Sequence, residues 1–300
     1  MKRRSFVRTT ILGTMGTRLF PAALSAQESE KIPDAVRVDN GEPAQLLSQA
    51  LLALGGMEQY ISRGDIVVVK PNIGWARAPE FAADTNPDLV AAVVTACYSA
   101  GAKTVKVFDR SCNDPRRSYL ASEIEKKADA AGAEVSQVRS NKFTKINLKA
   151  GKVLKEWEVY KDYLEADKII NIPIAKTHSL CRVTLGAKNL MGVLGGNRGR
   201  IHSGFDEKLA DICGSILPTL TIIDAYRILL SNGPTGGNLA DVTLQKSLIA
   251  SRCMVTADYL GLELFSLRLN QVGHLREMVN RGLNQFSLNK LNVKRIVLDS

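Results

Sequence analysis

Short apolar runs alternate with longer amphipathic segments through the first half of the chain. A continuous apolar run bounded by turn residues is typical of a buried parallel strand, and apolar residues at 3.6-residue spacing are typical of a helix. The helix that Asn86 caps also has proline at its first position and Gly101 after its end. This series predicts parallel strands with right-handed helical crossovers. Its members are helix 44–54, strand 65–72, helix 86–101, strand 103–110, helix 118–132 and strand 133–138.

The alternation is interrupted once and then resumes. Residues 139–165 are rich in lysine and have a hairpin-like pattern, which predicts an antiparallel insertion. The later elements are strands 168–174, 220–225, 245–251 and 294–300, and helices 206–217 and 256–269. We therefore predict an α/β fold: a mostly parallel central sheet with helices on both faces, and an antiparallel insertion near residues 139–165.

Composition places the chain among globular proteins. It has 300 residues, of which 45% are hydrophobic and 23% charged. This length suits a single α/β domain over 27–300, or two lobes over 27–165 and 166–300. The net charge is +10, but part of the basic excess lies in the first eighteen residues. The remainder is mildly basic and fits a small anionic partner. Because no basic run is interleaved with aromatic residues, we expect no nucleic-acid binding.

The N-terminus has the pattern of an export signal. A basic start is followed by an apolar stretch at 11–24 and by small residues near Ala26. The stretch is too short for a membrane span and contains Arg18, so we predict a signal peptide at 1–26, cleaved after Ala26. Arg3 and Arg4, followed by Ser5 and Phe6, resemble the twin-arginine signature. We expect recognition by the twin-arginine export machinery, a periplasmic or otherwise exported location, and no permanent membrane anchor.

The cysteines and the route of export bear on cofactors. The five cysteines are widely spaced and form no C-x-x-C pair, so we do not expect an intrinsic iron–sulfur cluster or a zinc ribbon. Twin-arginine export carries folded proteins, which favours a bound cofactor. The identity of any cofactor stays open, and a metal ion is one alternative.

Polar residues concentrate where the predicted strands end. In open parallel sheets, ligands bind beyond the carboxyl ends of the strands. These ends, or the segments that directly follow them, carry Lys70, Asn72, Asp109, Lys176, His178, Asp224 and Asp258. We therefore predict a ligand site at this edge of the sheet.

Several roles are open to these residues. Lys70 and Lys176 can hold a phosphate or carboxylate, or one of them can act as a base if burial lowers its pKa. His178 and His202 are candidates for proton transfer, or for metal ligation together with Asp224 and Asp258. The 24-residue separation of the two histidines excludes the local H-E-x-x-H pattern. His274 is predicted to lie at the surface.

Two glycine-rich turns, "GVLGGNRGR" and "NGPTGGN", border this region of the sequence. Neither has the spacing of a nucleotide-binding loop. Their backbone amides can form an anion nest, or the turns can be flexible loops beside a cleft. Gly233, in the second turn, is a candidate substrate-binding residue.

An ordered set of motifs resembles the family named domain of unknown function 362. The motifs are "VVVKPN", "TNPDLVAAVV", "INIPIAKTHSLCRVTLGAKNLMG", "IHSGFDEKLADI", "LTIIDA", "NGPTGG" and "MVTADYLGLEL", and the resemblance extends from about Ile66 to the C-terminus. The resemblance implies that the family's motif positions are occupied by Lys70, Asn72, Lys176, His178, Lys188, Asn189, His202, Asp224, Gly233, Pro234 and Asp258. Some family members carry ferredoxin-like cysteine clusters, which implies a redox association, but this sequence lacks those cysteines.

Three functions remain open. The first is an exported enzyme acting on a small anionic molecule. Its catalytic residues would be His178, His202 and Lys176, and its substrate-binding residues Lys70, Asn72, Lys188, Asn189, Asp109 and Gly233. The second is a cofactor- or metal-dependent redox protein working with an iron–sulfur partner. The third is a non-catalytic periplasmic anion-binding protein.

Overall fold

The apolar runs of the sequence form the strands of a mixed sheet in the computed structural model, which describes residues 31–299. The predicted signal peptide lies outside the described residues. From Ile32 onward the chain forms one compact unit. The strands are β1 (Ala35–Asp39), β2 (Ile66–Pro71), β3 (Thr104–Val107), β4 (Glu134–Val135), β5 (Phe143–Asn147), β6 (Glu156–Tyr160), β7 (Lys168–Ile172), β8 (Ile174–His178), β9 (Arg182–Thr184), β10 (Leu220–Leu229), β11 (Val242–Ser251) and β12 (Val293–Val297).

The helices lie between these strands. They are α1 (Pro43–Ala53), α2 (Pro87–Ser99), α3 (Pro115–Ala121), α4 (Ile124–Ala130), α5 (Lys161–Leu164), α6 (Gly186–Asn189), α7 (Phe205–Cys213), α8 (Met254–Gly261) and α9 (Gly273–Asn280). Asn86 caps α2 as predicted, because its side chain accepts hydrogen bonds from the N–H groups of Asp88 and Leu89. Within residues 31–299, no helix combines the length and apolar character needed to cross a membrane.

The main sheet has the strand order β12-β1-β11-β10-β7-β2-β3-β4, and β8 pairs with β10 and β9 beside this path. The β2 strand is parallel to both of its neighbours, β3 and β7, and β7 is parallel to β10. The β11 strand is antiparallel to both of its neighbours, β1 and β10. The β5 and β6 strands form a separate antiparallel pair. The predicted mostly parallel sheet with an antiparallel insertion near 139–165 is confirmed.

Helices cover both faces of the sheet. Successive side chains of a strand point to opposite faces. In β2, Val67 and Val69 accordingly belong to the apolar cluster under α1, α2 and α4, and Val68 belongs to the cluster under α6, α7, α8 and α9. Burial on both faces explains why the sequence of β2 is continuously apolar.

Several boundaries differ from the predicted ones. The single helix predicted at 118–132 is split into α3 and α4, with Glu123 at φ 58° between them. The strand predicted at 168–174 is interrupted by Pro173, because proline has no N–H to donate. The Pro173 carbonyl accepts the Asp224 N–H. The α8 helix ends at Gly261. The β1 strand and the α9 helix are present although the sequence patterns did not indicate them.

Candidate functional site

A small cavity opens at the carboxyl ends of β2, β3 and β8. Its volume is about 60 Å³, where a single water needs roughly 10–15 Å³, so a ligand of a few non-hydrogen atoms fills it. We call it the inner cavity. Its polar lining residues are Asn72, Asp109, Arg110, Cys112, Lys176, His178, Thr184, Lys188, Asn189 and Arg198. The strand-end prediction thus identified four of these lining residues, Asn72, Asp109, Lys176 and His178, and the family resemblance added Lys188 and Asn189.

Two of the predicted residues form a buried ion pair. Lys70 is fully buried, and its Nζ lies 2.9 Å from Asp109 Oδ1. The Lys70 ammonium also donates to the Pro71 carbonyl and to Asn189 Oδ1, and Asp109 Oδ2 accepts the Ile73 N–H at 2.6 Å. Burial lowers the pKa of Lys70 while the Asp109 carboxylate opposes that shift. With three acceptors around its ammonium, Lys70 is a structural cation beneath the cavity.

Side-chain amides connect Lys70 to the second buried lysine. Asn189 Oδ1 accepts from Lys70 and, at 3.0 Å, from Asn72 Nδ2, and its own Nδ2 donates to Asn171 Oδ1 at 2.9 Å. Asn72 Oδ1 in turn accepts from Lys176 Nζ at 3.1 Å. Because both amides use their donor and acceptor ends, their orientations are fixed, and they hold the two lysines in place.

Lys176 differs from Lys70 because no carboxylate among residues 31–299 forms an ion pair with it. Its side chain is 1% exposed, and its Nζ donates to Asn72 Oδ1 and to the Ala83 carbonyl, which are both neutral. An ammonium has three donors, so one remains for a ligand in the inner cavity that Lys176 lines. Burial lowers the pKa of Lys176 to about 8, and the Asp84 charge partly opposes this shift.

Asp84 is the acidic residue whose charge affects the pKa of Lys176 most strongly. Its Oδ1 accepts the N–H groups of Gly74 and Trp75, at 2.6 and 3.0 Å. Its Oδ2 is buried and has no hydrogen-bond partner among the described residues. Burial raises the pKa of Asp84 to about 7, against the effect of Lys176 and the two N–H donors. Both groups can therefore change protonation near neutral pH.

Lys188 is a second cation at the cavity, and it has no hydrogen-bonding or ion-pairing partner in the described part of the chain. Its Nζ lies 5.9 Å from the centre of the Phe205 ring, and burial lowers the pKa of Lys188. Arg198 and Arg110 add two guanidinium groups, which donate only to backbone carbonyls. With Asp109 neutralised by Lys70, the inner cavity carries an excess of positive charge and suits an anion.

His178 lies two residues beyond Lys176 in β8, so both side chains are on one face of that strand. Its Nδ1 accepts the Leu180 N–H at 3.2 Å, which assigns the ring proton of the neutral form to Nε2. Burial, followed by the charges of Lys188 and Lys176, lowers the pKa of His178 to about 3. The ring is therefore a neutral hydrogen-bond donor at physiological pH.

The other two histidines lie away from the cavity lining. His202 is exposed, and its ring is 6.1 Å from the Phe205 ring; burial and the Lys188 charge lower the pKa of His202. His274 was predicted at the surface, and this prediction is wrong: it is 2% exposed, because α9 packs on α7 and brings the His274 ring 5.5 Å from Phe205. Burial lowers the pKa of His274 to about 4.

The predicted metal ligands are not brought together. Asp224 accepts the N–H groups of Asn86 and Tyr226, and Asp258 accepts those of Gly186 and Ala187 at the start of α6. Burial raises the pKa of Asp224 to about 6 and that of Asp258 to about 7. Within residues 31–299, no three His, Cys, Asp or Glu side chains form a group that could hold a metal. Both carboxylates position backbone around the site.

Gly233 is close to the site but does not line the inner cavity. A Cβ at this position would overlap the Thr177 carbonyl, so the loop can lie against β8 only with glycine here. The Gly233 carbonyl accepts the Ser179 N–H at 3.3 Å. Its role in the structure is to bring Pro234 to the cavity wall.

Three contributors escaped the sequence analysis: Asp84, Cys112 and Arg198. Cys112 lies shortly after the predicted strand 103–110, which ends in Arg110, so the same strand-end rule could have included it. Arg198 lies in the first glycine-rich turn, and Asp84 lies in the loop between β2 and α2. For these two, only the fold reveals that the loops return to the same edge of the sheet.

Similar proteins were found by sequence and by structure. A thylakoid-associated protein of Synechocystis sp. is 26% identical over 246 residues, which cover 79% of this chain and 74% of the relative. The lactate racemase apoprotein from Thermoanaerobacterium thermosaccharolyticum has a TM-score of 0.48 at 12% identity, covering 80% of this chain and 58% of that one. A Thermotoga maritima protein has a TM-score of 0.44 at 13% identity, covering 75% and 60%. The chain thus spans about three-fifths of each of these two structures.

A protein-family model gives the clearest match. The family described as Domain of unknown function (DUF362) matches residues 67–263. The match contains most of the motifs that suggested the resemblance, although it ends before the C-terminal strand that we expected it to include. Because it covers more than half of the chain, the protein belongs to the DUF362 family.

Proposed function

We propose that the protein is an exported enzyme that binds a small carboxylate in the inner cavity and moves a proton with Lys176. The reaction class is proton abstraction from a carbon next to a carbonyl group. Lys188 holds the anion, and His178 donates a hydrogen bond from Nε2.

The contrast between the two buried lysines carries this proposal. Lys70 has a carboxylate beside it and three acceptors, whereas Lys176 has two neutral acceptors and one donor left over. A fully buried lysine without an ion-pair partner loses its proton more readily, which is the property a general base at neutral pH requires. Lys188 is only half-buried, so it keeps more of its hydration and its charge. The unpartnered Lys188 ammonium at the same cavity favours an anionic substrate.

The proton transfer is balanced without a further reactant. The neutral Lys176 amine takes the proton from the α-carbon, and the C–H electron pair forms the C=C bond of an enolate. The carbonyl electrons move to oxygen, where the Lys188 ammonium and the His178 Nε2–H stabilise the negative charge. Return of the proton from the Lys176 ammonium to the carbon restores the amine. Asp84 Oδ2 stabilises the ammonium form between these steps.

The test is hydrogen–deuterium exchange at the α-carbon, followed by NMR in D₂O with pyruvate and malonate as probes. The wild-type protein should accelerate the exchange, and the rate should increase with pH with a midpoint near pH 8, as Lys176 becomes neutral. Lys176→Met and Lys176→Arg should each slow the exchange by about 10²–10⁴-fold. Arginine keeps the positive charge and cannot act as a base, so Lys176→Arg should still bind the probe.

Exposed Lys290 provides the matched control, and Lys290→Met should exchange at the wild-type rate. If Lys176→Arg exchanges as fast as the wild type, Lys176 is not the base. If no carbonyl probe exchanges although carboxylates bind, the proposed reaction is wrong.

That last outcome would favour a second function, a non-catalytic anion-binding protein. The unpartnered Lys188 ammonium supports it as directly as it supports an enzyme, since capture of an anion needs only the cation and the cavity. Carboxylate binding that depends on Lys188 and gives no exchange or product on long incubation would establish it.

Export and a redox role are proposals with their own tests. The N-terminal Arg3-Arg4 pair supports twin-arginine export, and Arg3→Lys with Arg4→Lys should leave the protein unprocessed in the cytoplasm. The redox alternative predicts colour or bound metal in the natively exported protein, which a visible spectrum and metal analysis can detect.

A further inference from the structure

A second and larger cavity lies beside the inner cavity, and His178 lines both of them. This outer cavity has a volume of about 480 Å³. It lies between the β8–β9 hairpin, the loop after β10 and the segment that follows α8. Since the inner cavity has room for only a few non-hydrogen atoms, any larger molecule bound there must extend beyond it. The outer cavity is the space beside His178 that can receive the extension.

The lining of the outer cavity is apolar on one side. Leu230, Phe265 and Leu267 face this cavity, and Leu230 is 43% exposed. A leucine that remains so exposed beside a cavity gains free energy when an apolar group covers it. The three apolar side chains therefore predict a ligand with an apolar portion.

The charge of the outer cavity is positive. None of its lining residues is acidic, and Arg182 lies directly opposite His178 in the β8–β9 pairing. The Arg182 guanidinium is exposed and forms no ion pair or hydrogen bond with the described residues. The positive charge of the outer cavity attracts anions, as that of the inner cavity does.

We infer that the substrate is an amphipathic carboxylate whose anionic end lies in the inner cavity and whose apolar chain lies in the outer cavity against Leu230, Phe265 and Leu267. This inference rests on the proposed function for the position of the carboxylate, and it adds the substrate class. His178 marks the point where the polar end of the molecule gives way to the apolar chain.

The experiment measures the affinity of a homologous series (acetate, butanoate, hexanoate and octanoate) by isothermal titration calorimetry on the folded protein. Each methylene that enters the outer cavity should increase affinity by about two- to fourfold. The quantity to compare between variants is the ratio of octanoate affinity to acetate affinity.

Three variants show which residues cause the increase of affinity with chain length. Leu230→Asn should reduce the octanoate-to-acetate ratio at least about fivefold, because it removes apolar contact from the chain alone. Leu52→Asn changes an exposed leucine on α1 and should keep the wild-type ratio. Lys188→Met should weaken acetate and octanoate by the same factor and so also keep the ratio.

The outcomes separate this inference from the proposed function. A ratio near one in the wild type, or a ratio that Leu230→Asn leaves unchanged, overturns the outer-cavity assignment even where acetate still binds through Lys188. Failure of every carboxylate to bind, with no exchange at the carbonyl probes, overturns the proposed function itself. Thermal unfolding of Leu230→Asn at the wild-type temperature shows that its altered ratio does not come from misfolding.

Discussion

Lys70 and Lys176 are joined through Asn189 and Asn72, yet of the two only Lys70 forms an ion pair within the described residues, with Asp109 Oδ1 at 2.9 Å from its Nζ. The two lysines are equally buried, so the difference between them is one of partners. Asp109 favours the charged form of the paired lysine and opposes the effect of burial on its pKa. The other donates to neutral oxygens, and this is why we propose Lys176 as the base.

Removal of the Lys188 ammonium should weaken anion binding. We expect Lys188→Met to reduce the affinity for acetate by about 10- to 100-fold, since a charged hydrogen bond contributes about 1.5–3 kcal/mol. Calorimetry measures the change, and Lys290→Met serves as the control at an exposed lysine. An unchanged acetate affinity in Lys188→Met would place the anion elsewhere.

Two of the three histidines should stay neutral at physiological pH. Burial and nearby lysines lower the pKa of His178 to about 3 and that of His274 to about 4. Their ¹⁵N ring shifts should therefore not change between about pH 5 and 8, whereas in the urea-unfolded protein all three should titrate near the usual value of about 6.5. A protonation midpoint above about 6 for His178 would contradict its assignment as a neutral donor.

Asp258 should contribute to stability through the backbone of α6. Its carboxylate accepts the Gly186 and Ala187 N–H groups at 2.6 and 2.8 Å in a buried position. Asp258→Ala leaves both donors without a partner and should lower the free energy of unfolding by about 2–5 kcal/mol. Urea titration measures this free energy of unfolding. The control is Asp129→Ala, at an exposed position on α4, which should stay within about 0.5 kcal/mol of the wild type. If Asp258→Ala also lowers the free energy of unfolding by less than about 0.5 kcal/mol, the structural role of Asp258 is refuted.

Gly192 allows the Lys70–Asp109 pair to form beneath the cavity. A Cβ at residue 192 would overlap Asp109 Oδ1 and lie 2.6 Å from Lys70 Nζ. Separation of a buried ion pair is costly, and we expect Gly192→Ala to lower the free energy of unfolding by about 3 kcal/mol. Gly199→Ala, in an exposed turn where only the movable Asn197 side chain approaches, should change it by less than about 0.5 kcal/mol. Equal stability of the two variants would show that the pair adapts to the extra carbon.

The sequence predicted the sheet and half of the site for the same reason. Strands buried on both faces, such as β2, are predicted directly from their apolar runs. Polar residues where these runs end, such as Lys70 and Asn72, must then lie at the carboxyl edge of the sheet. The strand β1, which lies between β12 and β11, and the helix α9 are short, and both were missed. His274 was assigned to the surface because the packing of α9 on α7 is a tertiary contact without a local signal.

The chemistry of individual residues could not be predicted in the same way. Lys70 and Lys176 are equivalent in the sequence, as lysines at the ends of apolar strands, and only the position of Asp109 distinguishes them. Asp224 and Asp258 were predicted as carboxylates near strand ends, but the N–H groups of Asn86, Gly186 and Ala187 that they accept come from distant segments. These assignments depend on pairings between residues more than 30 positions apart, which no local pattern encodes.

The protonation of Lys176 tests the central claim most directly. Its ¹⁵Nζ and ¹³Cε shifts in lysine-labelled protein, assigned by comparison with Lys176→Met, can be followed from about pH 6 to 11. Because burial lowers the pKa of Lys176 to about 8, we predict a midpoint near that value. A midpoint near 10.5, the usual value for lysine, would leave almost no neutral amine at neutral pH and contradict its role as the base.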